Sequence, residues 1–347
     1  MAFARIDSDG DYYRSIGCCL RSFCGEENMK KILFVLCVIL CMLLTACGGN
    51  TYTEKTYFYM DTVVSVKIDS GKSECFDKCK NLLAELDSDL SRHNGGGLTA
   101  TFNLSENGSI INSTLEDMIE IGEAVSERCD GAFSVYSGGL TELWSNSEAY
   151  PTEGEIALAI ESVVPSELKE NHFLEKKNEN TKLEFGGIAK GYACDRLVGL
   201  LKEEGIVSGM VSFSSSIGVF GKNPDGNPWK IALKDPNDPQ SIMGYLTLFD
   251  GFISVSGDYE RFYEIEGKKY NHIIDTKTGV PVNNGVQCAV VISDSGAECD
   301  ALSTAFMVMG HTLAEEKFGR SEDVKYLIVE DGQIYMNDGM KEVFSQN

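Results

Sequence analysis

Apolar residues recur at three-to-four spacing in several stretches beyond residue 70. Cys75 to Leu90 carries Phe76, Cys79, Leu82, Leu83 and Leu86 along one side, the stripe of a helix with one buried face. Thr114 to Cys129 repeats the pattern with Leu115, Met118, Ile119, Ile121 and Val125, and Asn112 or Ser113 precedes it as an N-cap. A shorter helix is predicted over Glu153 to Val163. Another follows Lys190, with Ala193, Leu197, Leu200 and Leu201 on one side and Gly205 at its end. Ala297 to Met309 is apolar nearly all round, so that helix is predicted to be buried. Alternation predicts strands over Tyr57 to Ile68, Gly209 to Val219, Trp229 to Leu233, Gly244 to Phe249, Gly251 to Ser256, Phe262 to Ile265 and Tyr270 to Ile274. Val286 to Ile292 is almost wholly apolar, as a central strand is. Val324 to Glu330 and Gln333 to Met336 flank a turn at Asp331-Gly332, and Phe173 to Phe185 reads as a hairpin around Asn178-Glu179-Asn180. Ser91 to Leu98 is a loop with His93 and three glycines. Helices and strands are interspersed without a βαβ repeat. The predicted class is therefore α+β, as one unit with two lobes, mixed or antiparallel sheets and packed helices.

The first 56 residues follow a different logic. Met29-Lys30-Lys31 precedes an apolar run from Ile32 to Leu44, then Thr45-Ala46-Cys47-Gly48. A charged start, an apolar centre and small residues at a cleavage point are the parts of a secretory signal. The run is shorter than the ~20 residues a spanning helix needs. The expected organisation is an upstream extension over 1–28, with Met29 as the start, and a lipoprotein signal peptide over 29–46. A lipidated Cys47 with a polar tether covers 47–56, and the folded domain covers 57–347. That arrangement places the protein on the extracytoplasmic face of a bacterial cell membrane, held by its lipid anchor.

Charge and cysteine content narrow the chemistry. The 347-residue chain carries a formal net charge of −23. Residues 1–46 contain five basic and five acidic residues, so their removal leaves that balance unchanged. So acidic a surface argues against nucleic acid as a partner. An anionic ligand would need a metal, backbone amides or local lysines. Six of the twelve cysteines lie beyond Cys47, scattered and without a Cys-x-x-Cys pair, so zinc is not expected. Cys75 and Cys79 stand one helical turn apart; buried free thiols are the default reading.

Three stretches carry candidate chemistry. Leu183-Glu184-Phe185-Gly186-Gly187-Ile188-Ala189-Lys190-Gly191-Tyr192 is a glycine-rich turn entering a helix. Such a turn either cradles phosphate with backbone amides or simply needs glycine for its geometry. Asp300, Ser303 and Thr304 share a helical face. They are hard oxygen ligands of the kind magnesium accepts, or the capping residues of a first helical turn. His272, on the predicted strand Tyr270 to Ile274, is a candidate proton acceptor, though a lone histidine is more often structural.

Together these stretches resemble one family in the right order. Across residues 57–311 the chain is similar to the ApbE family, the FAD:protein FMN transferases. The resemblance rests on Met60-Asp61-Thr62, Asp130-Gly131-Ala132-Phe133, the Gly186-to-Ala193 run, Gly221-Lys222-Asn223-Pro224-Asp225-Gly226, Ser256-Gly257-Asp258-Tyr259-Glu260-Arg261, His272-Ile273-Ile274-Asp275 and Asp300-Ala301-Leu302-Ser303-Thr304. It implies a T-fold-related fold and a magnesium-dependent reaction. FAD is the substrate, its FMN half is joined by a phosphoester to a Thr or Ser hydroxyl of an acceptor flavoprotein, and AMP leaves. By the same resemblance the metal positions are Gly187, Asp300, Ser303 and Thr304, and the catalytic residues His272 and Asp300. The flavin-contacting positions are Met60, His93, Ala132, Phe133, Ser134, Glu184, Lys190 and His272. The acceptor would be a subunit of a membrane redox complex or an exported flavin-domain reductase. Alternatives are a magnesium-dependent FAD pyrophosphatase giving FMN and AMP, and a noncatalytic flavin-binding lipoprotein. The chain departs from the family pattern at Glu184, where Asp is usual, and at Ser134-Val135, where Asp-Pro is usual. It departs also at His93, where a tyrosine is usual, and at Ser212-Phe213-Ser214-Ser215-Ser216, in place of Asn-Leu-Gly-Gly-Asn.

Overall fold

The backbone of the folded part, a computed structural model, starts with a hairpin rather than one strand. The structure describes residues 52–69, 71–238, 240–258 and 261–347. Met29, the signal segment and Cys47 lie outside the described residues, as do Tyr259 and Glu260. Strands β1 (Thr53–Tyr59) and β2 (Thr62–Ile68) pair antiparallel. Met60 and Asp61 between them both have positive φ, 54° and 56°, as a two-residue type I′ turn requires. Neither is Gly or Asn, so the sequence showed no turn there. β1 also begins inside the stretch expected to be tether.

Helix α1 (Ser73–Leu90) buries its predicted stripe. A short helix α2 (Leu98–Leu104), absent from the sequence reading, precedes β3 (Gly108–Ile110) and α3 (Ser113–Arg128). Asn112 caps α3 by accepting from the Leu115 N–H at 3.2 Å. Helix α4 (Gly138–Asn146) was also unpredicted; α5 (Glu153–Glu161) opens on a Thr152–Glu155 capping box. The expected hairpin over Phe173 to Phe185 does not form. Instead β4 (Glu167–Leu168) and β5 (Phe173–Glu175) join β3 in a small sheet ordered β3-β5-β4, and residues 176–188 run as turns and loop. The turn at Asn178 is real, but the chain after it leaves toward α4 and bridges Ser137 through Lys182.

Helix α6 (Ala189–Glu203) leads to β6 (Gly209–Ser212) and β7 (Ser216–Phe220). The sequence read this serine-rich stretch as one strand; it is a hairpin turning at Phe213-Ser214-Ser215, with Ser214 at φ 68°. Next come β8 (Trp229–Lys234), β9 (Ile242–Leu248), β10 (Gly251–Gly257), β11 (Phe262–Ile265), β12 (Lys268–Asn271) and β13 (Val286–Ser293). Helix α7 (Gly296–Phe318) breaks its helical dihedrals at Gly310, φ 70°, one residue past the predicted end. The chain closes with β14 (Lys325–Glu330), β15 (Gln333–Met336), α8 (Asp338–Val343) and β16 (Phe344–Gln346).

The long sheet has the order β1-β2-β6-β7-β10-β13-β14-β15. Its pairs are all antiparallel. β13 shows why its sequence is apolar. Ala289 and Val291 enter the core shared with α1, α3, α6 and α7, while Cys288, Val290 and Ile292 enter a second core. Side chains that alternate across a strand supply both. The second core packs the sheet against the three strands β16-β9-β8. These elements form one compact unit over Tyr52–Asn347. The six described cysteines are free and buried, Cys75 and Cys79 included.

Candidate active site

Where α6 meets α7, the backbones approach more closely than side chains allow. A Cβ on Gly191 would lie 1.9 Å from the Gly296 carbonyl oxygen, so only glycine fits. Asp195, one turn further along α6, accepts from the Gly296 and Ala297 N–H groups at 2.6 and 2.8 Å. The second helix is thereby capped by a side chain of the first. This junction sets the Gly186-to-Lys190 turn beside Asp300 and Thr304. A Cβ on Gly187 would come within 3.0 Å of Thr304 Oγ1 and 3.1 Å of the Phe133 ring.

Asp300 is 2% exposed and firmly held. Its Oδ1 accepts from Ser254 at 2.8 Å and Ser216 at 3.2 Å, and its Oδ2 from the Gly191 N–H at 3.1 Å. Lys190 Nζ stands 3.7 Å from Oδ2 and donates to the Gly186 carbonyl at 3.2 Å. An ammonium thus lies between the carboxylate and a backbone carbonyl, where positive charge is well received. No cluster of three or more His, Cys, Asp or Glu exists among the described residues. The oxygens at this point are one carboxylate, the Thr304 hydroxyl and the Gly186 carbonyl, hard donors of the kind that fit magnesium. Ser303 sits differently from Thr304. It is fully buried, donates to the Asp300 carbonyl at 2.9 Å and bonds Ser256 at 2.8 Å. It braces the helix from behind and does not line the cleft.

A cavity of about 920 Å³ opens from this point. Met60, His93, Ala132, Phe133, Ser134, Glu184, Lys190, His272, Gly187, Asp300 and Thr304 all line it, so eleven of the twelve candidate metal, catalytic and flavin residues converge, Ser303 being the exception. Met60 is presented by the strained turn, its N–H donating to Asp87 at 2.8 Å. His93 is exposed on the rim. Glu184 is not free: Oε1 accepts from the Gly186 N–H at 2.8 Å and Oε2 pairs with Arg92 Nε at 3.3 Å. Its extra methylene is used to reach back to its own turn and across to that arginine.

His272 was expected on a strand; β12 stops at Asn271, and the histidine sits in the bend that follows. The reason is Asn271, whose side chain accepts from the Ile273 N–H at 3.0 Å and turns the chain. The bend aims the imidazole into the cleft. Nδ1 lies 2.9 Å from the Arg261 carbonyl, and a carbonyl only accepts. That nitrogen therefore carries the proton, leaving the Nε2 lone pair available. Burial, with the Arg261 and Lys190 charges adding to it, lowers the His272 pKa from 6.5 to about 4.

Arg92 and Ser254, which hold Glu184 and Asp300, had no place in the motif pattern. Arg92 adjoins His93 but gave no pattern. The alternating serines of Gly251 to Ser256 were a usable signal, since residues two apart in a strand share a face.

Fold and cleft together define an α+β enzyme with a long ligand cavity, a hard-oxygen cluster and a neutral histidine among its walls. The model of the ApbE family matches residues 60–328, and the chain belongs to that family. The FAD:protein FMN transferase of Salmonella typhimurium is 28% identical over 258 residues, covering 71% of this chain and 72% of that protein. The FAD:protein FMN transferase of Vibrio cholerae is 29% identical over 279 residues, covering 77% and 81%. The ApbE protein of Thermotoga maritima, a crystal structure, matches with a TM-score of 0.77 at 27% identity over 84% of this chain and 99% of that one. The Vibrio cholerae flavin transferase ApbE shares the fold with a TM-score of 0.75 at 24% identity, again over 84% and 99%.

Proposed function

We propose that this protein transfers the FMN half of FAD to a Thr or Ser hydroxyl of an acceptor flavoprotein and releases AMP. The observation that carries the reading is the convergence of His272, Lys190 and the Asp300–Thr304 pair on one cavity, in a chain whose relatives bear that activity in their names. Met60, Ala132, Phe133 and Ser134 form the flavin wall, with Arg92 holding Glu184 and its turn beside them. Asp300 Oδ2, Thr304 Oγ1 and the Gly187 carbonyl would hold magnesium. Bound there, the ion would draw charge from pyrophosphate oxygens. His272 Nε2 takes the proton of the acceptor hydroxyl. The hydroxyl oxygen bonds to the phosphorus of the FMN half, the bridging P–O bond breaks, and AMP departs with that oxygen. Lys190 offsets the charge on the transferred phosphoryl group. An N-terminal lipid on Cys47 would place the reaction at the extracytoplasmic membrane face, and an acceptor in a membrane redox complex or an exported reductase fits that location.

Incubation with FAD, Mg²⁺ and a candidate acceptor domain, followed by a denaturing gel, tests this. Flavin fluorescence that stays with the acceptor is the expected result. Free FMN and AMP without labelling would instead make the protein a pyrophosphatase, and intact bound FAD would make it a binder. Mass spectrometry of native membranes, finding diacylglyceryl-modified Cys47 as the first residue, checks the anchor.

A further inference from the structure

Under the Asp300 face of α7 lies a row of buried serines. Ser216 on β7 and Ser254 on β10 are direct cross-strand partners. Ser256 follows two residues on, facing the same side. Ser216 and Ser254 are 1% and 0% exposed, in a sheet whose neighbouring positions are filled by apolar side chains. A buried hydroxyl costs stability unless bonded, and here the bonds go to one helix and, between Ser216 and Ser254, across the strands. Ser254 and Ser216 both donate to Asp300 Oδ1, with their oxygens 3.0 Å apart. Ser256 engages Ser303 at 2.8 Å and Thr304 at 3.4 Å.

Resting on the magnesium reading above, we infer that Ser216 and Ser254 determine which metal ion the site accepts, by occupying Asp300 Oδ1 and leaving one lone pair of Oδ2 as the only one open to a cation. A carboxylate oxygen has two lone pairs, and two hydroxyls fill those of Oδ1. Oδ2 gives one to the Gly191 N–H and keeps the other open on the side of Lys190, whose Nζ at 3.7 Å is beyond hydrogen-bond distance. A carboxylate locked this way binds one-handed, which suits the small octahedral Mg²⁺. Ca²⁺ takes more ligands and readily accepts a carboxylate by both oxygens. The serines are positioning residues: they touch no substrate and act through Asp300.

The test is calorimetric titration of the full-length wild type and the Ser216→Ala/Ser254→Ala double variant with Mg²⁺ alone and Ca²⁺ alone. The wild type should prefer Mg²⁺. In the double variant Mg²⁺ affinity should fall about tenfold or more, the usual effect of removing outer partners of a metal ligand. Ca²⁺ affinity should fall less or rise, so the preference narrows. Should the double variant not fold, Ser254→Cys keeps the volume with a weaker donor and should narrow the preference in the same direction. Equal changes for both ions, or no change, would overturn the inference and leave the metal site standing. A wild type that binds neither ion would instead remove the metal reading itself.

Discussion

The pH dependence of His272 gives the sharpest test of the chemistry. As a base it must be neutral, so activity is lost when it gains a proton. Burial is the main cause of its depressed pKa, followed by positive charge at Arg261 and Lys190; the Arg261 carbonyl bond opposes the shift. With a folded pKa of about 4, the imidazole is about 99% neutral at pH 6, whereas an unperturbed histidine would be only about a quarter neutral there. Wild-type kcat/KM, which reports the free enzyme, should stay flat from pH 7.5 to about 5.5 and decline only below about 5. The assay is acceptor labelling by FAD at saturating Mg²⁺, with initial rates in a constant-ionic-strength buffer series. His272→Asn should lower kcat by about 100-fold or more, the usual contribution of a general base, and its residual rate should lose the acid limb. The fold itself obeys the same linkage. The unfolded chain takes this proton near pH 6.5 and the folded one only near 4, so stability is present above 6.5 and drains away as pH falls across that window. Urea unfolding at each pH separates that loss from catalysis. An acid limb centred near 6.5 in a protein that is still folded would show that the imidazole is not desolvated as described. An intact rate in His272→Asn would refute the base assignment.

Three further outcomes follow from the geometry. Asp300→Ala should abolish magnesium-dependent turnover, a loss on the order of 100-fold or more if the ion stabilises the transferring phosphoryl group by several kcal/mol; full activity would remove the metal assignment. Gly191→Ala puts a methyl group 1.9 Å from the Gly296 carbonyl and should cost about 3 kcal/mol or more in urea unfolding, as overpacking against backbone does. A change under 1 kcal/mol would show that α6 and α7 are free to part. Arg92→Ala should weaken FAD binding while leaving the magnesium requirement unchanged, because it frees Glu184 from its 3.3 Å pairing without touching Asp300; fluorescence titration of FAD reads it, and unchanged affinity would make the pair structural only.

Much of this protein was legible in the residues themselves. The α+β class, the amphipathic helices α1, α3 and α6, and the apolar α7 and β13 follow from local periodicity, because a stripe of apolar side chains stabilises only the backbone that puts it on one face. The break in α7 was also local, since Gly310 accepts a dihedral that other residues resist. Of the candidate metal, catalytic and flavin residues, all but Ser303 line one cavity. Hairpins that turn on Met60-Asp61 and Phe213-Ser214-Ser215 were not legible. Their strained dihedrals carry no glycine signal and are held by the strands on either side. Helices α2 and α4 were missed because they are short and owe their existence to packing.

What the tertiary structure alone decided is which partners each group has. Residues 92 and 184, or 216, 254 and 300, are brought together by sheet order and helix crossing, and no spacing along the chain encodes that. Asp300 and Thr304 could be read as four apart on a helix; that two serine hydroxyls meet Oδ1 while Oδ2 takes the Gly191 N–H depends on the strands beneath and the helix beside it. The protonation of His272 was likewise undecided, since an imidazole pKa is set by burial and nearby charge. Sequence determined which groups are present and which local backbone carries them. The fold decided their solvation and their hydrogen bonds, because those depend on neighbours that are distant along the chain.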